Sequence, residues 1–312
     1  MKALVPTGNL VDMVRLTDVA EPDTALDEAT VAVEAFSINR GETFLLESPR
    51  PGWRPGKDIA GRVVRAADSG DGPPIGARVV GHPRANGWAE RVAVPIRQLA
   101  LLPDRVDFQT AAALPLAGLT ALRLMRAIGP LAGRRILITG ASGGVGHFFT
   151  ELASAAGAEI TVVTRDRQRS SRLLELGAQW AVQDVSAAPA SMDVVMESVG
   201  GASFTAALTR LAPRGLLVWF GQAGRVPATV DFFSFFDRHQ SASIRHFDYT
   251  DSDVADASDL ATLVRLAANG RLHPEIGVVS PWQRTSETIA DLRERRIRGK
   301  AILTVEPVAE AA

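Results

Sequence analysis

The sequence predicts an α/β protein in which a doubly wound parallel sheet is inserted into a β-rich domain. Three observations predict it. Residues 30–36 (TVAVEAF), 59–65 and 89–94 read as short strands, separated by breaker clusters at 49–52 (PRPG), 68–74 (DSGDGPP) and 85–87 (ANG). Beyond residue 107 the texture changes to alternating strand and helix patterns, which bury a parallel sheet under helices on both faces. Finally, an apolar strand at 301–305 follows the last of these units and is free to return to the first domain.

Taken in order, short strands with turn punctuation in the first third give an antiparallel, barrel-like domain. Residues 108–128 are rich in alanine and leucine, with Pro115 and Gly118 the main breakers, and read as helical. Then come a buried strand at 135–139 (RILIT), a helix at 144–156 and a strand at 159–164 (EITVVT). A helix at 167–176 stops at Gly177, where a C-terminal glycine is expected. Strands at 194–197, 215–220 and 243–247 and a helix at 204–211 complete the alternation. Amphipathic helices follow at 257–268, stopped by Asn269-Gly270, and at 286–296, and residues 307–312 read as a loose tail. The division expected is 1–118 for the β-rich domain, 119–262 for the parallel-sheet domain and 263–312 for the returning segment.

Composition narrows the function. The chain has 312 residues, 46% hydrophobic and 22% charged, with a formal net charge of −1. That balance gives no positive field to hold nucleic acid or an anionic membrane. No apolar run is long enough to span a bilayer, and MKALVPTGNL lacks the pattern of a signal peptide, so a cytoplasmic location is expected. Cysteine is absent, which removes disulfides, thiolate catalysis and cysteine–zinc sites. The five histidines, His82, His147, His239, His246 and His273, show no metal-ligand spacing and no HExxH, so they read as structural and no metal is expected.

The strongest chemical signal starts at Ile136: ILITGASGGVGHFFTELASAAGAEITVVTRD. A strand runs into Gly140-Ala141-Ser142-Gly143-Gly144-Val145-Gly146, and a helix and a second strand follow. Ala141-x-Gly143-x-x-Gly146 is the dinucleotide fingerprint with alanine in its first position. Gly143 lets backbone amides approach a pyrophosphate, Gly146 lets the helix lie close on the strand, and the helix dipole favours the anion. A glycine-rich turn built only for packing is the competing reading. The second strand ends Val163-Thr164-Arg165-Asp166-Arg167, with Thr164 about where an NAD site places its acid. Two guanidinium groups suit a 2′-phosphate, so NADPH is the expected cofactor; Asp166 is a candidate helix cap.

In this context the sequence resembles the zinc-free quinone oxidoreductase branch of the medium-chain dehydrogenase/reductase superfamily. The resemblance covers nearly the whole chain and is carried by VEAFSINRGE, PGKDIAGRVV, GARVVG, GWAERVAVP, AAALPLAGLTALRLM, LITGASGGVG, LHPEIGVVSP and RIRGKAILTV in that order. It implies a GroES-like substrate domain, an inserted Rossmann domain and an active site in the cleft between them. Zinc-dependent relatives have a cysteine near the position of Asn39 and a His-Glu pair after the glycine at the position of Gly56. Here those places hold Asn39 and Lys57-Asp58. The resemblance further implies that Asn39 lines the nicotinamide end and Thr120 lies near the nicotinamide ribose or the phosphates. Ser142, Gly143, Gly144 and Val145 would cradle the pyrophosphate, and Thr164, Arg165 and Arg167 would surround the adenosine phosphate. Ser198, Val199, Phe220, Gly221, His246 and Phe247 would approach the ribose and nicotinamide.

The chemistry implied is hydride transfer to a quinone or an α,β-unsaturated carbonyl compound, whose oxygen gains negative charge. Asn39, Arg40 and Lys57 are the candidate donors to that oxygen by position. The single tyrosine, Tyr249, has Asp253 rather than lysine four residues on, which argues against a Tyr–Lys mechanism; water is the expected proton source. Trp53, Trp88 and the run Phe232, Phe233, Phe235, Phe236 supply either a planar apolar pocket or packing and a subunit interface, and a homodimer is expected from the resemblance. An enoyl-thioester reductase and a non-catalytic NADPH-binding redox sensor remain alternatives.

Overall fold

A computed structural model describes residues 1–237 and 240–305. The chain divides into two compact units, residues 1–119 with 253–312 and residues 120–252. The tail expected at 307–312 lies outside the described residues.

Unit 1 opens with an antiparallel pair, β1 (Lys2–Pro6) and β2 (Val14–Asp18). The long strand β3 (Glu28–Ile38) and helix α1 (Arg40–Leu45) follow, then β4 (Asp58–Arg65), β5 (Arg78–Gly81), β6 (Arg91–Pro95) and β7 (Leu99–Leu101). The helical stretch expected at 108–128 is two helices, α2 (Phe108–Ala112) and α3 (Pro115–Ile128). Proline explains the break: it lacks the N–H an uninterrupted helix needs and fits at a helix start.

Unit 2 is an alternation. Its strands are β8 (Arg135–Ile138), β9 (Glu159–Val163), β10 (Trp180–Val182), β11 (Met192–Glu197), β12 (Leu211–Trp219) and β13 (Ser243–His246). Its helices are α4 (Gly144–Ala155), α5 (Arg167–Glu175), α6 (Gly201–Leu208) and the short α7 (Ser234–Asp237). The chain then rejoins unit 1 through α8 (Asp256–Ala268), β14 (Ile276–Pro281), α9 (Thr285–Arg293) and β15 (Lys300–Thr304).

The sheet of unit 2 is wholly parallel in the order β10-β9-β8-β11-β12-β13. Strand order reverses between β8 and β11, and ligands of such sheets bind beyond the carboxyl ends of the strands at that reversal. The sheet of unit 1 runs β14-β15-β3-β4-β5-β7, with β6 also paired to β3. β15 lies antiparallel to β3, pairing Ala301 with Ile38 and Leu303 with Phe36. Alternation places buried Val31 and Val33 on one face of β3, and the bulge between Val33 and Ala35 brings Phe36 to that same core, shared with Ile59, Val79, Trp88 and Leu303.

Phe36 is fully buried and stacks on Trp88, with ring centroids 5.5 Å apart and planes 23° from parallel. Trp88 also donates its indole N–H to the Ser37 carbonyl at 3.3 Å, which satisfies its one polar atom. Trp88 is therefore core, and Trp53 packs against the same cluster. Phe36→Ala is expected to cost about 3–5 kcal/mol, the usual range for deleting a buried aromatic ring. The shift in urea midpoint at unchanged m-value measures it; a loss under about 1 kcal/mol contradicts this packing.

Candidate active site

Two polar constellations stand out, one in each unit. In unit 2, five segments singled out in the sequence sit at the carboxyl ends of the parallel strands. Ser142 to Gly146 follow β8, Thr164 to Arg167 follow β9, Ser198-Val199 follow β11, Phe220-Gly221 follow β12, and His246-Phe247 close β13. The turn after β8 is tight for a physical reason. A Cβ on Gly146 would stand 2.3 Å from the Ala141 carbonyl oxygen, so only glycine lets α4 lie this close to the strand end. Gly143 is the N-cap of α4, and the amides of Gly144, Val145 and Gly146 start the helix without intrahelical acceptors. These amides and the twelve-residue helix behind them form an anion cradle, so the turn fits a dinucleotide pyrophosphate.

The neighbouring strand ends are tied together. Ser198 N–H donates to Thr139 Oγ1 at 3.0 Å, and Ser198 Oγ donates to the Thr139 carbonyl at 3.1 Å. The fully buried Glu197 accepts from the Val199 and Gly200 amides at 2.7 and 2.8 Å. A carboxylate holding two backbone N–H groups is a charge-assisted clamp, and it shapes the loop after β11. Sequence reading passed over Thr139 and Glu197; the signal was an acid ending the apolar run MDVVME. Thr164 is buried, whereas Arg165 and Arg167 are exposed. Asp166 caps α5 by accepting from the Gln168 amide at 2.8 Å and pairs with Arg169 at 3.3 Å, as its candidate role as a helix cap requires. Thr120 is buried on α3; His246 is exposed, and Phe220 and Phe247 are half-buried.

In unit 1 the constellation is Asn39, Glu42, Asp58 and Lys300, all buried. Asn39 is the N-cap of α1, and Glu42 accepts from its backbone N–H at 3.1 Å, the return half of a capping box. Asn39 Nδ2 donates to Glu42 Oε2 at 3.1 Å and to Asp58 Oδ2 at 2.8 Å, while Lys300 Nζ donates to its Oδ1 at 2.6 Å. Both N–H bonds of the amide are thus engaged. Asp58 further accepts from Ser37 Oγ at 2.6 Å, Lys300 Nζ at 3.0 Å and the Leu116 amide at 2.9 Å. Glu42 Oε1 takes the Gly56 and Lys57 amides at 2.8 and 3.1 Å. His82 Nδ1 lies 2.6 Å from the Lys57 carbonyl and 3.5 Å from Asp58. Arg40 donates to the Leu292 carbonyl at 2.8 Å, and Lys57 is half-buried.

Charge explains the titration of the two acids. Burial alone would raise Asp58, but Lys300, His82 and Ser37 outweigh it and hold the carboxyl well below the usual carboxylate range. Glu42 moves the opposite way: burial, then the Asp58 charge, pushes it up against the pull of the Gly56 and Asn39 amides. Sequence reading named Asp58 only as a replaced position and missed Glu42 and Lys300. The Asn39-x-x-Glu42 spacing was the available signal for the first. Nothing local marked Lys300, a lysine at the start of an apolar strand. Among the described residues no three His, Cys, Asp or Glu side chains gather as metal ligands, and no helix is long and apolar enough to cross a membrane.

Residues 144–268 match the family model for zinc-binding dehydrogenases, a stretch running from α4 to α8. The chain is 24% identical to the human synaptic vesicle membrane protein VAT-1 homolog, over 99% of this chain and 88% of that one. It is 33% identical to the tomato (Solanum lycopersicum) 2-methylene-furan-3-one reductase, over 61% of this chain and 54% of that one. Among solved structures, the Escherichia coli quinone oxidoreductase complexed with NADPH superposes with a TM-score of 0.86 at 22% identity, covering 97% of this chain and 99% of that one.

Lys300→Met leaves Asp58 buried without its cation. Stability at pH 7 is expected to fall by about 3–5 kcal/mol. A depressed carboxyl stabilises the fold above its unfolded pKa and loses that contribution as pH falls through the folded value. Removing the cation raises the folded pKa, so the deficit should narrow between pH 7 and pH 4. Urea unfolding of both proteins at the two pH values measures this; a deficit that grows in acid contradicts it.

Proposed function

We propose that this chain, which carries a zinc-binding dehydrogenase domain on the fold of the medium-chain dehydrogenase/reductase quinone oxidoreductases, is an NADPH-dependent, zinc-independent reductase of quinones or α,β-unsaturated carbonyl compounds. The observation that carries the reading is the cradle after β8, where Gly146 abuts Ala141 and the first amides of α4 are left for an anion. When bound, the reduced nicotinamide supplies the hydride. The protein's share is to bind and orient. Gly144, Val145 and Gly146 would hold the pyrophosphate, and the Thr139–Ser198 tie fixes the adjoining loop. With Thr164 buried where an acid would accept ribose hydroxyls, exposed Arg165 and Arg167 favour a 2′-phosphate.

Asn39 has no N–H left to give a developing oxyanion, so we assign it to positioning. Arg40 and Lys57 supply positive charge near it, and water supplies the proton. The second copy in a homodimer would add to β13. All four residues of that edge strand are exposed, and Phe232, Phe233 and Phe236 are each more than 60% exposed and touch one another. An open strand edge and a cluster of exposed aromatic rings are each surfaces that a second copy would cover.

The test follows NADPH oxidation by absorbance with ortho-quinones, para-quinones, alkenals and enoyl thioesters, with NADH in parallel. Turnover of one class with NADPH favoured is the expected result; tight NADPH binding without any turnover would replace the reading with a sensor. The double change Arg165→Ala with Arg167→Ala should raise KM for NADPH about 10–100-fold, the equivalent of one lost charged hydrogen bond, and hardly move that for NADH. Ile244→Lys, in the middle of β13, should turn a dimer into a monomer by light scattering; an unchanged mass sinks the edge-pairing mode.

A further inference from the structure

Unit 1 also carries an open groove. α8 packs against β7, and beside that contact a trough of about 530 Å³ lies between the helix and the loop of Gly72, Pro73 and Pro74. Every residue that lines it belongs to unit 1, and none belongs to the Asn39–Asp58 cluster. Small-molecule sites have volumes of roughly 300–1,000 Å³, so the trough is large enough to be one.

Its walls are apolar. Ala257, Ala261, Val264 and Ala268 recur at helical spacing and form one wall along about 16 Å of α8. Leu99, Leu101 and Pro103 form the other. Leu101 is 61% exposed, so an apolar ligand in the groove would bury a leucine that folding leaves wet. The rim is fixed in place. Gly72 has φ of 90°, and a Cβ there would stand 2.6 Å from Ile96 Cγ2, so the loop lies tight against Ile96. A groove already shaped spares its ligand the cost of ordering it.

Among the described residues the only charged side chains that line the groove are Arg105 and Arg265, both exposed. Arg105 donates to Asn269 Oδ1 at 3.1 Å, which sets it at the C-terminal end of α8, and Arg265 stands in the last turn of that helix. Neither has a described carboxylate within 4.0 Å. Asp104, next to Arg105 in the chain, pairs with Arg78 at 3.4 Å. A last-turn arginine complements the helix pole with no ligand present, but that pole carries only about half a charge against two full cations. The apolar trough therefore ends in net positive charge.

We propose that this groove is a binding site for an acyl anion, a single unbranched alkyl chain that ends in a carboxylate. The chain would lie along Ala261, Val264 and Leu101. The carboxylate would accept from Arg265 and from the Arg105 N–H groups that Asn269 leaves over, in the fork geometry that suits guanidinium and carboxylate. Buried methylenes supply the affinity, and the two cations select the charged end and fix its direction. The site needs neither cofactor nor turnover, so it stands or falls apart from the reductase reading.

The test is calorimetric titration of octanoate, decanoate and laurate into the full-length protein, each below the concentration at which it aggregates. Affinity should rise about two- to four-fold for each added CH₂. Decanol, the same chain length without the charge, should bind about ten-fold or more weakly than decanoate. The double change Arg105→Gln with Arg265→Gln should abolish that preference, and Arg265→Lys alone should keep part of it. Ala261→Phe, on an exposed position of α8, fills the trough and should weaken all three acids about ten-fold or more. Laurate that does not bind, decanol that binds as well as decanoate, or affinities that ignore both the arginine pair and Ala261→Phe overturn the proposal. Light scattering reads the other occupant: a mass that halves in Ala261→Phe assigns the groove to a second copy of this chain and also overturns it. Melting temperatures within a few degrees of wild type show that the variants are folded, and if Ala261→Phe fails that check the arginine pair decides.

Discussion

A single buried ion pair, Lys300 with Asp58, sets the conditions under which unit 1 can exist. Asp58 begins β4, Asn39 follows β3, and Lys300 begins β15, so the pair joins three adjacent strands of one sheet. An uncompensated carboxylate at that depth would cost several kcal/mol. Once Lys300 is in place, Asp58 is free to orient the Asn39 amide and accept the Leu116 amide, and Asn39 in turn seats Glu42 under the loop at Gly56. Remove the cation and each of these contacts loses the charge that organises it.

Unit 2 solves a different problem with different means. Its turn after β8 leaves the first amides of α4 without intrahelical acceptors, yet buried polar groups elsewhere must be satisfied. The Glu197 clamp and the Thr139–Ser198 tie do the second job with short side chains, leaving the cradle after β8 to do the first. The two sites thus divide their labour by chemistry. One spends side-chain charge on holding itself together, and the other keeps main-chain amides in reserve.

Much of this was legible in the sequence because it is written in local patterns. The strand–helix alternation, the spacing Ala141-x-Gly143-x-x-Gly146 and the cap at Asp166 depend on residues close together in the chain, and the structure realises each. Pro115 is a visible breaker, but composition over a long window masks one missing N–H, so 108–128 reads as one helical stretch where the chain forms two helices. β10 and β14 escaped notice. The first is only three residues long, and β14 alternates with more exposed than buried side chains. The ion pair was illegible for a deeper reason. Its partners stand 242 positions apart, and neither carries a local mark of burial. Trp88 read equally well as pocket or core, because only the tertiary position of Phe36 distinguishes the two.

The insertion of unit 2 between residues 119 and 253 has a consequence for birth on the ribosome. Residues 120–252 are continuous and complete once synthesised, so unit 2 can fold as soon as it emerges. Unit 1 cannot. Its strand β3 waits for β15, and Asp58 waits for Lys300, the last charged group its network needs. Until then the nascent chain carries an incomplete sheet, with Asp58 lacking its cation and the edge of β3 that β15 will cover left open. That interval is when a chaperone has the most to bind.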